Sequence, residues 1–135
     1  MALFLDTSFV IALEMSRDHY HRAAASFWQE YVQRPRRLIT TDWVLAEIVT
    51  FLNARGLHDK EVEVGDRLLA SRLVEIRSIT PELRAEAWAL FKRHSDKWYS
   101  FADRASFVVM RKRRLTSALT FDSHFTQAGF TVLPG

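Results

Sequence analysis

The chain opens on the stretch ALFLDTSFVIAL, residues 2–13, in which a short apolar strand meets an acid and then a helix. The pattern predicts a buried strand over Ala2–Leu5 that ends at Asp6. The apolar run that follows continues as a helix, and the hydroxyls of Thr7 and Ser8 are available to cap its first turn. This stretch therefore predicts a strand that leads directly into a helix, with a carboxylate at the junction.

The same alternation continues along the chain, with short apolar strands between longer helices. Further strands are predicted at Leu38–Thr40, Leu73–Ile76 and Ala118–Phe121. Helices are predicted over about 18–33, 42–55, 59–71, 80–93 and 102–113, with a short one from Asp122 to near Gly129. Segment 95–101 between two of these helices is predicted to be a loop.

Strands that alternate with helices favour a parallel sheet covered on both faces. We therefore predict one α/β domain over residues 1–135, a three-layer α/β/α arrangement around a parallel sheet of four or five short strands. Such sheets bind their ligands at the carboxyl ends of the strands. The ends of the predicted strands are thus the places to look for a site.

Bulk composition excludes several classes of protein. The 135 residues are 48% hydrophobic and 26% charged, which is typical of a globular domain. No apolar run reaches the roughly 18 to 20 residues of a membrane span, and the N-terminus lacks the basic region of a signal peptide. The chain has no cysteine, which fits a reducing compartment, so we expect a cytoplasmic protein without membrane contact. Its net charge of +3 is compatible with binding nucleic acid but indicates little alone.

Glu47 is the acid that the helix pattern explains least. It lies in WVLAEIV, residues 43–49, and is flanked by apolar residues around most of the helix. A partly buried carboxylate costs several kcal/mol unless a positive group neutralises it. The neighbours three and four residues away are Trp43, Val44, Thr50 and Phe51, none of them charged. Either a cation from elsewhere in the fold pairs with Glu47, or the residue belongs to a site.

Three aspartates occur where strands end or helices begin. Asp6 and Asp122 follow the first and last predicted strands, and Asp103 falls in the first turn of a helix. Helix capping alone is a sufficient explanation for each of them. Asp96 precedes Asp103 by seven residues in the predicted loop, where it either folds back toward the other acids or is simply solvated.

Taken together, these acids indicate a metal site. The carboxyl ends of parallel strands share one edge of the sheet, so four acids are expected to converge there: Asp6, Glu47, Asp103 and Asp122, with Asp96 as a fifth. Close unpaired carboxylates repel each other, and a hard cation with oxygen ligands removes that conflict. Mg²⁺, or Mn²⁺ in its place, suits such a site better than zinc. Carboxylate-bound Mg²⁺ commonly serves phosphodiester hydrolysis, and Thr7 and Ser8 would orient the acids by hydrogen bonding.

Four segments resemble the PIN-domain nucleases, and within them the VapC toxins of bacterial and archaeal toxin–antitoxin pairs. They are FLDTSFVIAL at 4–13, TTDWVLAEIVTFLNARG at 40–56, DKWYSFADRASFVVMRKR at 96–113 and ALTFDSHFTQAGF at 118–130. The resemblance implies a parallel sheet between helices and metal binding by Asp6 and Asp103. It implies that Glu47 and Asp122 complete the cluster, with Asp96 and Thr120 in support.

The resemblance also implies an activity and partners. Family members commonly cleave RNA endonucleolytically, form homodimers and are silenced by an antitoxin whose C-terminal segment covers the acidic pocket. Two positions depart from the usual pattern: Ala102 replaces a hydroxyl residue, and Arg104 replaces a small one. Arg104 would contact phosphate or pair with an acid. The basic run near the end of the same helix either complements the helix dipole or guides RNA, so further RNA contacts are predicted at Arg111, Lys112 and Arg113.

Two other functions were compatible with an acidic α/β protein. A non-catalytic, metal- and RNA-binding PIN-like scaffold would usually have lost one of the four acids, and all four are present. An aspartyl phosphatase requires a second aspartate at position 8, where this chain has Ser8, and a phosphoreceiver domain requires adjacent acids and a late lysine. The five histidines show no metal-binding spacing and are predicted to be structural or surface residues, and only His124, two residues after Asp122, is a candidate for substrate contact.

Overall fold

The structure, a computed structural model, describes residues 1–135 as five strands and seven helices. The strands are β1 (Leu3–Leu5), β2 (Leu38–Thr41), β3 (Val74–Arg77), β4 (Ser117–Leu119) and β5 (Thr131–Leu133). The helices are α1 (Thr7–Glu14), α2 (His21–Tyr31), α3 (Asp42–Ala54), α4 (His58–Ala70), α5 (Pro81–Arg93), α6 (Phe101–Lys112) and α7 (Ser123–Gln127). None of the helices is long and apolar enough to span a membrane.

All five strands are parallel, in the order β3-β2-β1-β4-β5. The chain moves outward from β1 through β2 to β3 and then crosses back to β4 on the other side of β1. Right-handed crossovers therefore bring α1 to α4 to one face of the sheet and α5 to α7 to the other. Because the direction of winding reverses between β1 and β4, a crevice opens at the carboxyl ends of these two strands. The predicted three-layer α/β/α fold is confirmed.

Aromatic side chains close the core on both faces of β1. Phe4 is completely buried and packs against Phe125 of α7 with their ring centroids 6.1 Å apart. On the opposite face, Phe9 of α1 meets Phe27 and Trp28 of α2 at 6.0 and 6.3 Å. Every residue of β1 and β2 is buried, as a central parallel strand between two helical layers requires.

The structure differs from the sequence prediction mainly at element boundaries. Helix α2 begins at His21 instead of near residue 18, because the Asp18 side chain accepts the backbone N–H of Tyr20 and holds a turn there. Strand β4 ends at Leu119 instead of Phe121. The fifth strand, at Thr131–Leu133, had no predicted position, since three residues are too few to show a period. These shifts leave Asp6 and Asp122 at the predicted edge of the sheet.

We expect Phe4→Ala to lower the free energy of unfolding by about 3 to 5 kcal/mol, because it opens a cavity where the central strand meets α7. Urea denaturation of the full chain measures the change. Leu69→Ala is the control, since Leu69 is 66% exposed and its loss is expected to cost less than about 0.5 kcal/mol. Equal effects of the two substitutions would contradict the assignment of Phe4 to the core.

Candidate active site

Asp6 follows β1 and caps α1. The whole residue is only 5% exposed. Its Oδ2 accepts hydrogen bonds from the Thr120 hydroxyl at 2.7 Å and the Ser8 hydroxyl at 2.9 Å. Burial raises the pKa of Asp6 to about 6, the two hydroxyl bonds oppose that rise, and the negative charges of Asp103 and Asp122 add to it. Asp6 is therefore a buried acid whose ionised form is poorly compensated by the protein alone.

The two hydroxyls beside Asp6 are themselves fixed by the backbone. The Ser8 oxygen accepts the Phe121 N–H at 2.9 Å, and the Thr120 oxygen accepts the Asp122 N–H at 3.0 Å. A hydroxyl can accept one hydrogen bond and donate its own proton in another, so both groups can donate to Asp6 while the backbone holds them. Ser8 and Thr120 thus link the ends of β1 and β4 through the Asp6 carboxylate.

Glu47 projects from the second turn of α3 and is partly buried. Its Oε1 accepts the Thr7 hydroxyl at 2.8 Å. Burial raises the pKa of Glu47, the Thr7 bond opposes this, and the charges of Asp103 and Asp122 raise it further. The sequence left open that a cation from elsewhere in the fold pairs with Glu47. The structure instead gives it a hydroxyl partner, and no lysine or arginine forms a salt bridge with it.

Asp103 lies in the first turn of α6, where it forms a capping box with Ser100. Its Oδ2 accepts the Ser100 N–H at 3.2 Å, while its own N–H donates to the Ser100 hydroxyl at 2.9 Å. The same Oδ2 lies 3.1 Å from Nδ1 of His124. Asp103 therefore caps a helix and also faces the other acids.

Asp122 caps α7 by accepting the His124 N–H at 2.9 Å. Its Oδ1 also lies 3.4 Å from Nδ1 of His124, so this ring sits between Asp122 and Asp103. The carboxylate oxygens of these two acids and a ring nitrogen of His124 all lie within 4.8 Å of one another. This spacing is short enough for one cation to contact all three groups.

All four predicted acids line one cleft of about 390 Å³ at the carboxyl ends of β1 and β4: Asp6, Glu47, Asp103 and Asp122. The salt bridges of lysine and arginine in this protein all go to other acids, and only His124 approaches this cluster. Four carboxylates, two of them with raised pKa values and none paired with a lysine or arginine, form an oxygen-rich donor set. Such a set fits Mg²⁺ or Mn²⁺.

Asp96 and Arg104 do not take the positions expected of them. Asp96 is exposed and does not line the cleft, so the expected fifth acid is absent from the cluster. The expectation that Arg104 contacts RNA is wrong, because its side chain is 1% exposed. It donates to the backbone oxygens of Ser100 and His94 and lies over two aromatic rings, those of Phe91 and Tyr99. These two rings bury Arg104, and the helix pattern in the sequence did not reveal that they lie next to it.

The basic run at the end of α6 lies at the other end of the helix from Asp103. Arg111 is about 12 Å further along the axis, at 1.5 Å per residue, and it bonds the oxygen of Ala128 at 3.3 Å. Lys112 pairs with an acid on α5 at 2.9 Å and Arg113 with one on β3 at 2.6 Å, namely Glu86 and Glu75. If these three cations contact RNA, they do so at a distance from the acids. Their contact with RNA stays a prediction.

Some residues at or beside the cleft were not assigned to it from sequence, among them His124, Asp18 and Tyr20. His124 was largely discounted, although its position two residues after Asp122 is the spacing that brings its ring over the cap. Asp18 and Tyr20 line the cleft because the turn before α2 folds toward β1. No local pattern reveals that approach, since it depends on how α1 and α2 pack.

Comparisons with known proteins agree with this geometry. The PIN domain family model matches residues 3–131. The protein named 23S rRNA-specific endonuclease VapC20, from Mycobacterium tuberculosis, is 37% identical over 128 residues, which is 95% of each chain. The crystal structure of Mycobacterium tuberculosis VapC20, described as a sarcin–ricin loop cleaving toxin, superposes with a TM-score of 0.87 at 36% identity, covering 96% of both chains.

A more distant structure shares the fold alone. FitAcB from Neisseria gonorrhoeae superposes with a TM-score of 0.67 at 17% identity, covering 98% of this chain and 96% of that one. The family model spans nearly the whole sequence, and the VapC20 match extends over the same length. The chain therefore belongs to the PIN-domain nuclease family, among its VapC-like endonucleases.

Proposed function

We propose that this protein is a Mg²⁺-dependent RNA endonuclease that hydrolyses phosphodiester bonds at its four-carboxylate cleft, and that it is the toxin of a toxin–antitoxin pair. One observation carries the proposal: four acids from four different elements face one cleft, and no lysine or arginine neutralises them. A purely structural cluster would gain stability from such a cation. The missing positive charge is the feature that a metal ion supplies.

Asp6 and Asp103 are the proposed direct ligands of Mg²⁺, with Glu47 and Asp122 completing the set and Mn²⁺ able to substitute. When bound, the ion lowers the pKa of water and neutralises charge on the scissile phosphate. Neighbouring hydroxyls position these ligands by hydrogen bonding: Thr7 donates to Glu47, while Ser8 and Thr120 donate to Asp6.

Beside these ligands lies His124. Its Nδ1 lies 3.1 Å from Asp103 and 3.4 Å from Asp122, so its ring contacts both carboxylates. We propose that His124 helps to position these two acids.

Ribosomal RNA is the proposed substrate. The relative that is 37% identical is named a 23S rRNA-specific endonuclease, and its structure is described as a toxin that cleaves the sarcin–ricin loop. The match covers 95% of both chains, so the two clefts are built from corresponding segments. We propose cleavage of a structured loop of 23S rRNA, in the cytoplasm where ribosomes are found.

An antitoxin and a second copy of the chain are the proposed protein partners. Support comes from an exposed aromatic pair on α5, in which Trp88 is 47% and Phe91 is 40% exposed. Their rings are stacked 5.3 Å apart and both also contact Phe101 at the start of α6. Clustered exposed aromatics are characteristic of protein interfaces.

The proposed activity predicts the behaviour of two charge-removing variants. Asp6→Asn and Asp103→Asn each keep a capping side chain but remove a metal ligand, so cleavage of 23S rRNA should fall by about 100-fold or more. EDTA should abolish cleavage by the unmodified protein, and Mg²⁺ or Mn²⁺ should restore it. Gel analysis of RNA fragments over time measures the rates.

Asp96→Asn is the matched control, because Asp96 is an exposed acid outside the cleft, and its activity is expected to be unchanged. Full activity in both cleft variants would sink the proposal. RNA binding without cleavage under any divalent cation would favour the non-catalytic scaffold instead.

The raised pKa of Asp6 predicts how stability depends on pH in EDTA. The folded protein holds the Asp6 proton more tightly than the unfolded chain, so its contribution to the free energy of unfolding falls as pH rises from about 4 to about 6. At pH 7.5, Asp6→Asn should therefore be more stable than the unmodified protein by about 1 to 3 kcal/mol, since one pKa unit corresponds to about 1.4 kcal/mol.

Urea denaturation at pH 7.5 and pH 4 tests this dependence. The advantage of Asp6→Asn should disappear at pH 4, where the carboxyl group is protonated in the folded protein. Adding Mg²⁺ at pH 7.5 should stabilise the unmodified protein more than the variant. A variant that is less stable than the unmodified protein at pH 7.5 in EDTA would show that Asp6 is adequately compensated without metal.

A further inference from the structure

Three aromatic rings form a stack that runs from the core to the mouth of the acidic cleft. Phe9 is completely buried, and the ring of Phe121 lies parallel to it at 5.9 Å with an angle of 9°. Tyr20 lies on Phe121 at 4.6 Å with an angle of 7°. Tyr20 is 45% exposed, so the stack ends in an open ring.

The open end of this stack is held next to the acids. Tyr20 and Phe121 line the same cleft as the four carboxylates. The backbone N–H of Tyr20 donates to Asp18 at 2.9 Å, which fixes the turn that carries the ring. The backbone N–H of Phe121 donates to the Ser8 hydroxyl, and that hydroxyl lies 2.9 Å from Asp6. The rings are therefore positioned by the same bonds that position a proposed metal ligand.

We propose that Tyr20 is a stacking platform for an unpaired nucleobase beside the phosphate that is cleaved. The inference rests on the proposed RNA endonuclease function and deepens it, since it restricts the substrate to loops or single strands. Bases of single-stranded RNA commonly stack on aromatic side chains, and every base offers a π-face. Phe121 covers one face of Tyr20, so the exposed part of the ring lies on the side away from Phe121.

Other exposed aromatics do not offer the same arrangement. Trp98 is 91% exposed, but neither it nor the α5 pair of Trp88 and Phe91 lines the cleft with the four acids. His19 packs against Tyr20 with the two rings nearly perpendicular, at 4.7 Å and 82°. Tyr20 is therefore the exposed ring that combines rigid support with a place at the acids. It acts as a positioning residue, since it would hold the base and take no part in the hydrolysis.

A binding experiment tests the platform apart from cleavage. The probes are RNA hairpins with the sarcin–ricin loop sequence, each with 2-aminopurine at one loop purine, because stacking quenches the fluorescence of this base. The full chain carries Asp103→Asn to prevent cleavage. At one or more positions we expect quenching on binding. Tyr20→Leu should remove it and weaken binding by about tenfold or more, whereas Tyr20→Phe and Tyr20→Trp should keep both.

Phe130→Leu is the matched control variant. Phe130 is a partly exposed ring that packs on Phe107 at 5.6 Å, at the amino end of β5 and therefore at the opposite edge of the sheet. This variant should leave quenching and affinity unchanged. A thermal unfolding curve of each variant establishes that the folded state is retained.

An abasic hairpin gives a second test that does not depend on the folding of a variant. Removing the base at the quenched position should weaken binding as much as Tyr20→Leu does, and combining the two changes should add nothing further. With an active background, Tyr20→Leu should raise KM for the hairpin by about tenfold at nearly unchanged kcat. Unchanged affinity and quenching with Tyr20→Leu, or unchanged affinity at every abasic position, would overturn the platform.

The platform and the proposed activity fail in different ways. If the unmodified protein cleaves no RNA with Mg²⁺ or Mn²⁺, the endonuclease proposal fails, while quenching that depends on Tyr20 would still support base stacking. If the unmodified protein cleaves 23S rRNA and Tyr20→Leu does so with the same KM, only the platform fails. A loss of kcat with unchanged KM would also overturn it, because it would assign Tyr20 to the reaction instead of to base binding.

Discussion

A buried carboxylate at the end of the central strand is the constraint on which this structure depends. Asp6 terminates β1, and its backbone N–H donates to the Leu119 oxygen at the end of β4, which joins the two strands at the switch point. Its side chain is buried among neighbours that offer two hydroxyls and no cation. The β1–β4 junction thus fixes where Asp6 lies, and the carboxylate is buried there without a lysine or arginine partner.

The acids that cap helices in this cleft are the same ones that are proposed to bind the metal. Asp6 and Asp122 are N-caps, and Asp103 completes a capping box, so each is required where a helix begins. Parallel strands bring those helix starts to one edge, which turns separate local roles into one cluster. The amide groups of three helix starts also favour negative charge nearby, which partly offsets the repulsion among the acids. Capping and metal binding are therefore not competing explanations for these residues.

Sequence reasoning predicted the fold, and it named the four acids that the structure places in one cleft, because both follow from local signals. Alternating strands and helices imply a parallel sheet, and the lack of a cation near Glu47 is visible in the nine residues from Trp43 to Phe51. Sequence reasoning failed for residues whose position depends on tertiary packing. Arg104 was expected to contact phosphate or pair with an acid, but it is buried over the rings of Phe91 and Tyr99. Tyr20 gave no signal, since its place depends on the angle at which α2 leaves the turn after α1.

The distribution of cations separates the cleft from an ordinary acidic surface. Four acids elsewhere in the protein pair with arginine or lysine, for example Glu14 with Arg67 and Lys60, and Glu75 with Arg113. Several of these side chains are largely exposed, where a surface ion pair contributes only about 0 to 1 kcal/mol. At the cleft, where burial makes an unpaired carboxylate far more costly, the chain provides hydroxyls and one histidine instead. Because the chain carries three more basic than acidic side chains, the absence of a lysine or arginine partner at the cleft supports the proposed metal ion.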